Sequence, residues 1–192
     1  MELGSIKDTT TAGLTTQRVG KEAGGAGGVF TVECVGPDGQ VKWTEQFHNL
    51  VVNEGLQDMN SQYFKGSGYI ASWYIGLVQG PGASNTYAAG DTLSTHAGWT
   101  ELAPTTAYTG NRKAAVFGTA STADPSVIGN SGSPASFAML VNGTTVAGAL
   151  LCSAASGTSG VLFSVGNFTG GDKAVDSGDT LNVTYTFSLD AA

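Results

Sequence analysis

The chain has 192 residues and a mass of 19.4 kDa, and its 8 Lys plus Arg against 15 Asp plus Glu give a formal net charge of -7. That balance repels phosphate backbones and anionic lipid, which sets aside nucleic-acid binding and attachment to a membrane surface. Only 12% of the residues are charged while 29 are glycine, a composition that favours short strands and many turns over helices, and the length predicts one domain, or one domain with an appendage.

Residues 1–28 show almost no apolar periodicity and close on Gly24-Gly25-Ala26-Gly27-Gly28. Such a run loses too much backbone entropy to order unaided. The segment reads as an extended N-terminal arm that needs a partner, with Leu3, Ile6, Leu14 and Val19 as its anchoring side chains. The opening Met1-Glu2-Leu3-Gly4-Ser5 lacks the basic-then-apolar layout of a signal peptide, and no window reaches membrane-spanning length. Synthesis in a reducing cytoplasm is the expectation, and Cys34 and Cys152, each inside an apolar strand pattern, are expected to be buried free thiols.

From Val29 the pattern changes. Residues 29–35 and 41–47 are strand-like and flank Gly36-Pro37-Asp38-Gly39-Gln40, in which proline presets its φ and glycine takes a positive one, so they predict a hairpin. Asn53 is placed to cap a short helix whose Leu56, Met59, Tyr63 and Phe64 recur at helical spacing, with Gly66-Ser67-Gly68 ending it. That stripe is expected to lie on a sheet or to plug one end of a barrel. Residues 69–79 form a nearly continuous apolar run, the pattern of a central strand covered on both faces, which places Trp73 and Tyr74 in the core. A long polar segment, residues 79–111, follows. Loops of this length in compact domains usually bind something, which makes Tyr87, His96, Trp99 and Tyr108 the loop's candidate contacts to a partner.

Residues 112–118, 135–141, 145–153 and 161–168 supply further strands, with Asn142-Gly143 as a two-residue hairpin signal between two of them. Residues 180–189 alternate without a break: Leu181, Val183, Tyr185, Phe187 and Leu189 point one way and Asn182, Thr184, Thr186 and Ser188 the other. A long one-sided strand needs partners on both edges. The sum is an all-β fold over residues 29–192, an antiparallel jelly-roll-like sandwich of about eight strands with one short helix. Cys34, Trp43 and Cys152 do not have the spacing of an immunoglobulin core.

Catalytic signals are thin. Asp91, Ser94 and His96 lie close in sequence, but no strand-turn-helix nucleophile elbow accompanies them, so no enzymatic role is expected. Asp172, Asp176 and Asp179 offer carboxylates near one another, yet their spacing matches no calcium loop and they read as a polar turn. No phosphate-cradling loop or paired-cysteine metal site is present, and no cofactor is expected.

The phrases Ser-Trp-Tyr-Ile-Gly-Leu at 72–77, Ala-Gly-Asp-Thr-Leu-Ser-Thr-His-Ala-Gly-Trp-Thr-Glu at 89–101, Tyr-Thr-Gly-Asn-Arg-Lys at 108–113 and Asp-Ser-Gly-Asp-Thr-Leu-Asn-Val-Thr-Tyr at 176–185 resemble tailed-bacteriophage virion proteins that lie beside the major capsid protein and decorate or cement the shell. The likeness covers residues 29–189. It implies a jelly-roll-like decoration protein on the outer capsid surface, a homo-oligomer (dimer or trimer) bound to the major capsid protein, with no enzymatic role. Two other readings stay open: a tail-fibre or head-fibre module holding host glycans on its aromatic loops, and a ring-forming tail-tube or head-completion component.

Overall fold

A computed structural model describes residues 25–66 and 68–190, and the arm anchors Leu3, Ile6, Leu14 and Val19 lie outside the described residues. The elements in chain order are β1 (Ala26–Val35), β2 (Val41–His48), β3 (Leu50–Val51), α1 (Asn53–Lys65), β4 (Tyr74–Gln79), β5 (Lys113–Ala114), β6 (Ser126–Gly129), β7 (Ala135–Ala138), β8 (Thr144–Cys152), β9 (Leu162–Asn167), β10 (Lys173–Val175) and β11 (Thr180–Leu189). The eight expected strands are all present. The hydrophobic pattern does not mark β3, β6 and β10, which are only two to four residues long.

The strands form two antiparallel sheets. In the first the order is β2-β1-β11, with β6 and β7 sharing the far edge of β11. In the second it is β3-β9-β8-β4-β5, with β10 also on β8. The architecture is the all-β sandwich expected; jelly-roll connectivity, the finer expectation, goes beyond what these two strand orders establish.

β11 is the spine of the first sheet. It pairs along its whole length with β1, from Ala26 opposite Leu189 to Val35 opposite Thr180. Its other edge takes β7 at residues 180–183 and β6 at residues 186–189. Asn130 fills the gap between those two short strands. Its Oδ1 accepts the Tyr185 N–H at 2.6 Å and its Nδ2 donates to the Val183 carbonyl at 3.3 Å, so the ladder is continued by a buried side chain where the backbone leaves it. The inward face of Leu181, Val183 and Tyr185 is fully buried. The alternation fades at the end of the strand, where Leu189 is exposed.

The first strand begins earlier than the composition suggests, because Gly27 and Gly28 pair with Ser188 and Phe187. Gly28 is required there: a Cβ would stand 2.2 Å from the Tyr185 hydroxyl. Asn49 ties the two together, its Oδ1 accepting the Gly28 N–H at 2.9 Å and its Nδ2 donating to the Tyr185 hydroxyl at 3.0 Å. Burial pushes that hydroxyl's pKa up to about 12, so the tyrosine stays neutral through the physiological range. The β1–β2 turn forms as predicted, with the Gly36 N–H donating to Gln40 O at 2.8 Å and Gly39 at φ 77°.

The core between the sheets sets Phe30, Val32, Cys34, Phe47, Phe137, Leu181, Val183 and Tyr185 against Ile75, Leu77, Val146, Ala149, Leu151 and Phe163. Cys34 and Cys152 are free and buried. Burial, aided by the negative charge of Asp179, pushes the Cys34 thiol up to about 11, which leaves it unreactive. Asp179, itself 1% exposed, accepts a hydrogen bond from Lys42 Nζ at 2.7 Å. Burial works against its ionised form, but that hydrogen bond and the Asp176 N–H outweigh burial and hold the carboxyl below its usual value.

The helix departs from its predicted orientation. Gly55 is its buried residue, lying so close to β9 that a Cβ would meet the Phe163 carbonyl oxygen at 2.5 Å. Met59 is half-buried against the core, whereas Leu56, Tyr63 and Phe64 are exposed. A side chain as small as glycine lets the helix backbone sit on the strand, and the helix then turns its aromatic residues outward. Val52 rather than Asn53 occupies the N-cap position, and Gly66 ends the helix in the left-handed conformation.

Candidate functional site

The long segment expected to be a recognition surface is instead a third layer. β4 and β8 are buried on both faces, and their outer face needs a cover. Leu93 and Trp99 supply it, packing with Val78, Ala147, Leu150, Cys152, Leu162 and Val165 in a second apolar cluster. Trp99 is 5% exposed, its Nε1 donates to Asp91 Oδ2 at 2.9 Å, and the His96 ring stacks on it with centroids 3.8 Å apart. Gly98 permits the close approach, since a Cβ there would lie 2.1 Å from the Thr86 carbonyl oxygen.

The four loop residues proposed as partner contacts are therefore not an exposed platform. Tyr87 is half-buried and its hydroxyl donates to Asn167, and burial pushes its pKa up to about 12. His96 places Nδ1 3.1 Å from the Trp99 carbonyl oxygen. Tyr108, near the end of the same segment, turns its side chain into the main core, fully buried and edge-on to Phe137 at 4.9 Å. Its hydroxyl is the one buried side-chain polar atom without a hydrogen-bond partner among the described residues, and burial raises its pKa. These side chains are apolar enough to fill the space over the sheet, and this use removed them from the surface.

Asp91, Ser94 and His96 do not converge. Asp91 holds Trp99 and accepts the Ala88 N–H at 3.1 Å, Ser94 shares a hydrogen bond with Thr92, and His96 faces the Trp99 carbonyl. Asp172, Asp176 and Asp179 are likewise spent on separate tasks: Asp172 accepts the Gly82 N–H, Asp176 accepts the Gly143 N–H, and Asp179 binds Lys42. Among the described residues no group of three or more His, Cys, Asp or Glu side chains is arranged to hold a metal ion, and no helix is long and apolar enough to cross a membrane.

What faces outward is elsewhere. Tyr63 and Phe64, at the end of α1, are 84% and 77% exposed and stack edge-on with centroids 4.9 Å apart, and Tyr69 is 82% exposed. Sequence periodicity assigned the first two to the interior and Tyr69 to a strand that in fact starts at Tyr74. Next to them an apolar cleft of about 640 Å³ opens between the sheets, lined by Met59, Ile70, Trp73, Phe117, Phe163 and Phe187 among others, with Tyr69 and the exposed Val116 also on its wall. Trp73 and Phe187 each meet Phe163 edge-on, at 5.4 and 5.3 Å, so the cleft has a rigid aromatic floor. The chemistry on offer is mainly apolar contact: Asp58, held by Gln62, is the one carboxylate on the lining, and no Lys or Arg stands there. No protein-family model, curated protein or solved structure matches the chain.

Proposed function

We propose that the protein is a structural component of a tailed-bacteriophage particle that decorates and cements the capsid by binding the major capsid protein and neighbouring copies. The observation that carries this reading beyond the sequence resemblance is the exposure of Tyr63 and Phe64, which pack edge-on at the end of α1, and of Tyr69 just beyond it, each more than three-quarters exposed. Large aromatic side chains held out to water on a stiff support are characteristic of contact surfaces, where they contribute more binding energy per residue than other side chains. The remaining polar groups that sequence reading offered for chemistry are occupied within the fold. Glycan binding through Trp99 has little support, because that ring is covered by His96 and turned into the protein.

The direct test is co-sedimentation with purified phage heads stripped of the protein, using the wild type and a Tyr63→Ser/Phe64→Ser double variant. Both side chains are exposed, so the variant keeps its thermal midpoint within a few degrees; losing a hot-spot pair costs at least about 2 kcal/mol of binding, or roughly 30-fold in affinity. Equal binding by the two proteins removes this face from the contact. Failure of the wild type to bind heads at all removes the decorating role.

A further inference from the structure

Two features beside each other on α1 are complementary. One is a protrusion, the exposed Tyr63 and Phe64 followed directly by exposed Lys65. The other is the cleft, aromatic at its floor, whose lining carries one carboxylate, Asp58, and no Lys or Arg. Gln62 Nε2 donates to both Asp58 oxygens, at 2.8 and 2.7 Å, so a neutral amide fixes the carboxylate in place and leaves its charge uncompensated. Among the described residues neither Asp58 nor Lys65 forms an ion pair. They stand two turns apart on one helix, about 10 Å of rise, too far to pair directly with each other.

We infer that the cleft receives the Tyr63-Phe64-Lys65 end of α1 from a second copy of this chain, in a two-fold dimer where each copy gives its aromatic pair and takes the other's. A surface that carries both a protrusion and a complementary recess closes with itself, because a two-fold axis makes every contact twice. The helix supplies the register. Two α1 helices crossing antiparallel at Ser61 and Gln62 bring Lys65 of each copy level with the second copy's Asp58, and Phe64 level with the second copy's Met59 on the cleft wall. The rings then leave water for an apolar floor, and each lysine meets the carboxylate that lacks a cation. The net charge of -7 on each chain opposes association at long range, so the opposite charges at the contact set its register as well as its strength. This inference deepens the decorating role and rests on it only in taking the Tyr63–Phe64 end as a contact surface.

The test is sedimentation velocity of the full-length free protein, without capsids, over a concentration series. The wild type is expected to approach twice the single-chain mass. Asp58→Lys and Lys65→Glu each set like charges against each other, and each variant alone is expected to dimerise at least about tenfold more weakly. Mixing the two restores opposite charges at both contacts, so the mixture is expected to recover the dimer. In a second measurement, a photoreactive benzophenone amino acid in place of Phe64 is expected to give a product of double-chain mass, crosslinked to Met59 or to residues 114–118. A wild type that stays monomeric overturns the inference, as do charge variants that dimerise like the wild type, a mixture of folded variants no tighter than its components, or crosslinks confined to other surfaces. A monomer that still binds heads through Tyr63 and Phe64 removes the self-contact and keeps the decorating role, whereas a dimer that binds no heads does the reverse.

Discussion

Replacing Glu101 by alanine is expected to lower the thermal unfolding midpoint by about 6–20 °C, from a loss of roughly 3–5 kcal/mol when one member of a buried ion pair is removed. Glu101 and Arg112 form a two-point pair, Nε to Oε1 at 2.7 Å and Nη2 to Oε2 at 2.6 Å, with the arginine side chain 4% exposed and the glutamate 16%. Arg112 Nη1 also donates to the Ala154 carbonyl at 2.9 Å. The pair thus fastens the end of the long loop to the sheet it covers, and Gly76 makes room for the carboxylate, since a Cβ there would lie 2.7 Å from Oε1. Without Glu101 the guanidinium stays buried with one neutral acceptor. A Glu101→Leu/Arg112→Met double variant, which leaves no buried charge, should recover much of the loss. Differential scanning calorimetry of both variants checks the claim, and a shift under 2 °C in Glu101→Ala would show that the pair contributes little.

Gly148→Ala is the second large effect. At this position in β8 a Cβ would stand 1.9 Å from the Gly166 carbonyl oxygen and 2.9 Å from the Asn167 Cα, both backbone atoms of β9. No rotamer change relieves a clash between two backbones, so the strands must part at the centre of the second sheet. Overpacking of this kind costs about 3 kcal/mol or more, a midpoint lower by at least about 6 °C, with reduced soluble yield. Gly132→Ala, where the space is open, is the matched control and should stay within about 0.5 kcal/mol of wild type.

Much of the fold is legible in the sequence because it rests on local rules. Alternation from Leu181 to Phe187 follows from the pleat, and the 36–40 turn follows from what proline and glycine do to φ. The continuous apolar run ending in Gln79 already implies cover on both faces of β4. What it does not reveal is which segment provides the cover. The answer is the long loop, through Leu93 and Trp99, so the rule that long loops bind something holds here with the protein's own sheet as the thing bound. The helix differs from the expected orientation for a related reason. Leu56, Met59, Tyr63 and Phe64 have the spacing of a buried stripe, but spacing alone cannot say whether a stripe meets its own core or a partner. The glycine at position 55, which brings the backbone rather than a side chain onto β9, decides the question. The four arm anchors fall on residues 1–24 and gain no structural support or contradiction.

Both sheets are braced, the loop is clamped by Glu101 and Arg112, and the reactive groups of the interior are held neutral or paired. Among the described residues, the exposed aromatic end of α1 and the apolar cleft between the sheets are two surfaces open to contact. Electron cryomicroscopy of purified particles, with the protein located in the density, tests the decorating role most directly. The expected result is a two-sheet domain on the outer face of the shell, with the Tyr63–Phe64 end of α1 against the major capsid protein or a neighbouring copy. Density for the domain confined to the tail or to fibre tips, or missing from the particle, would contradict it.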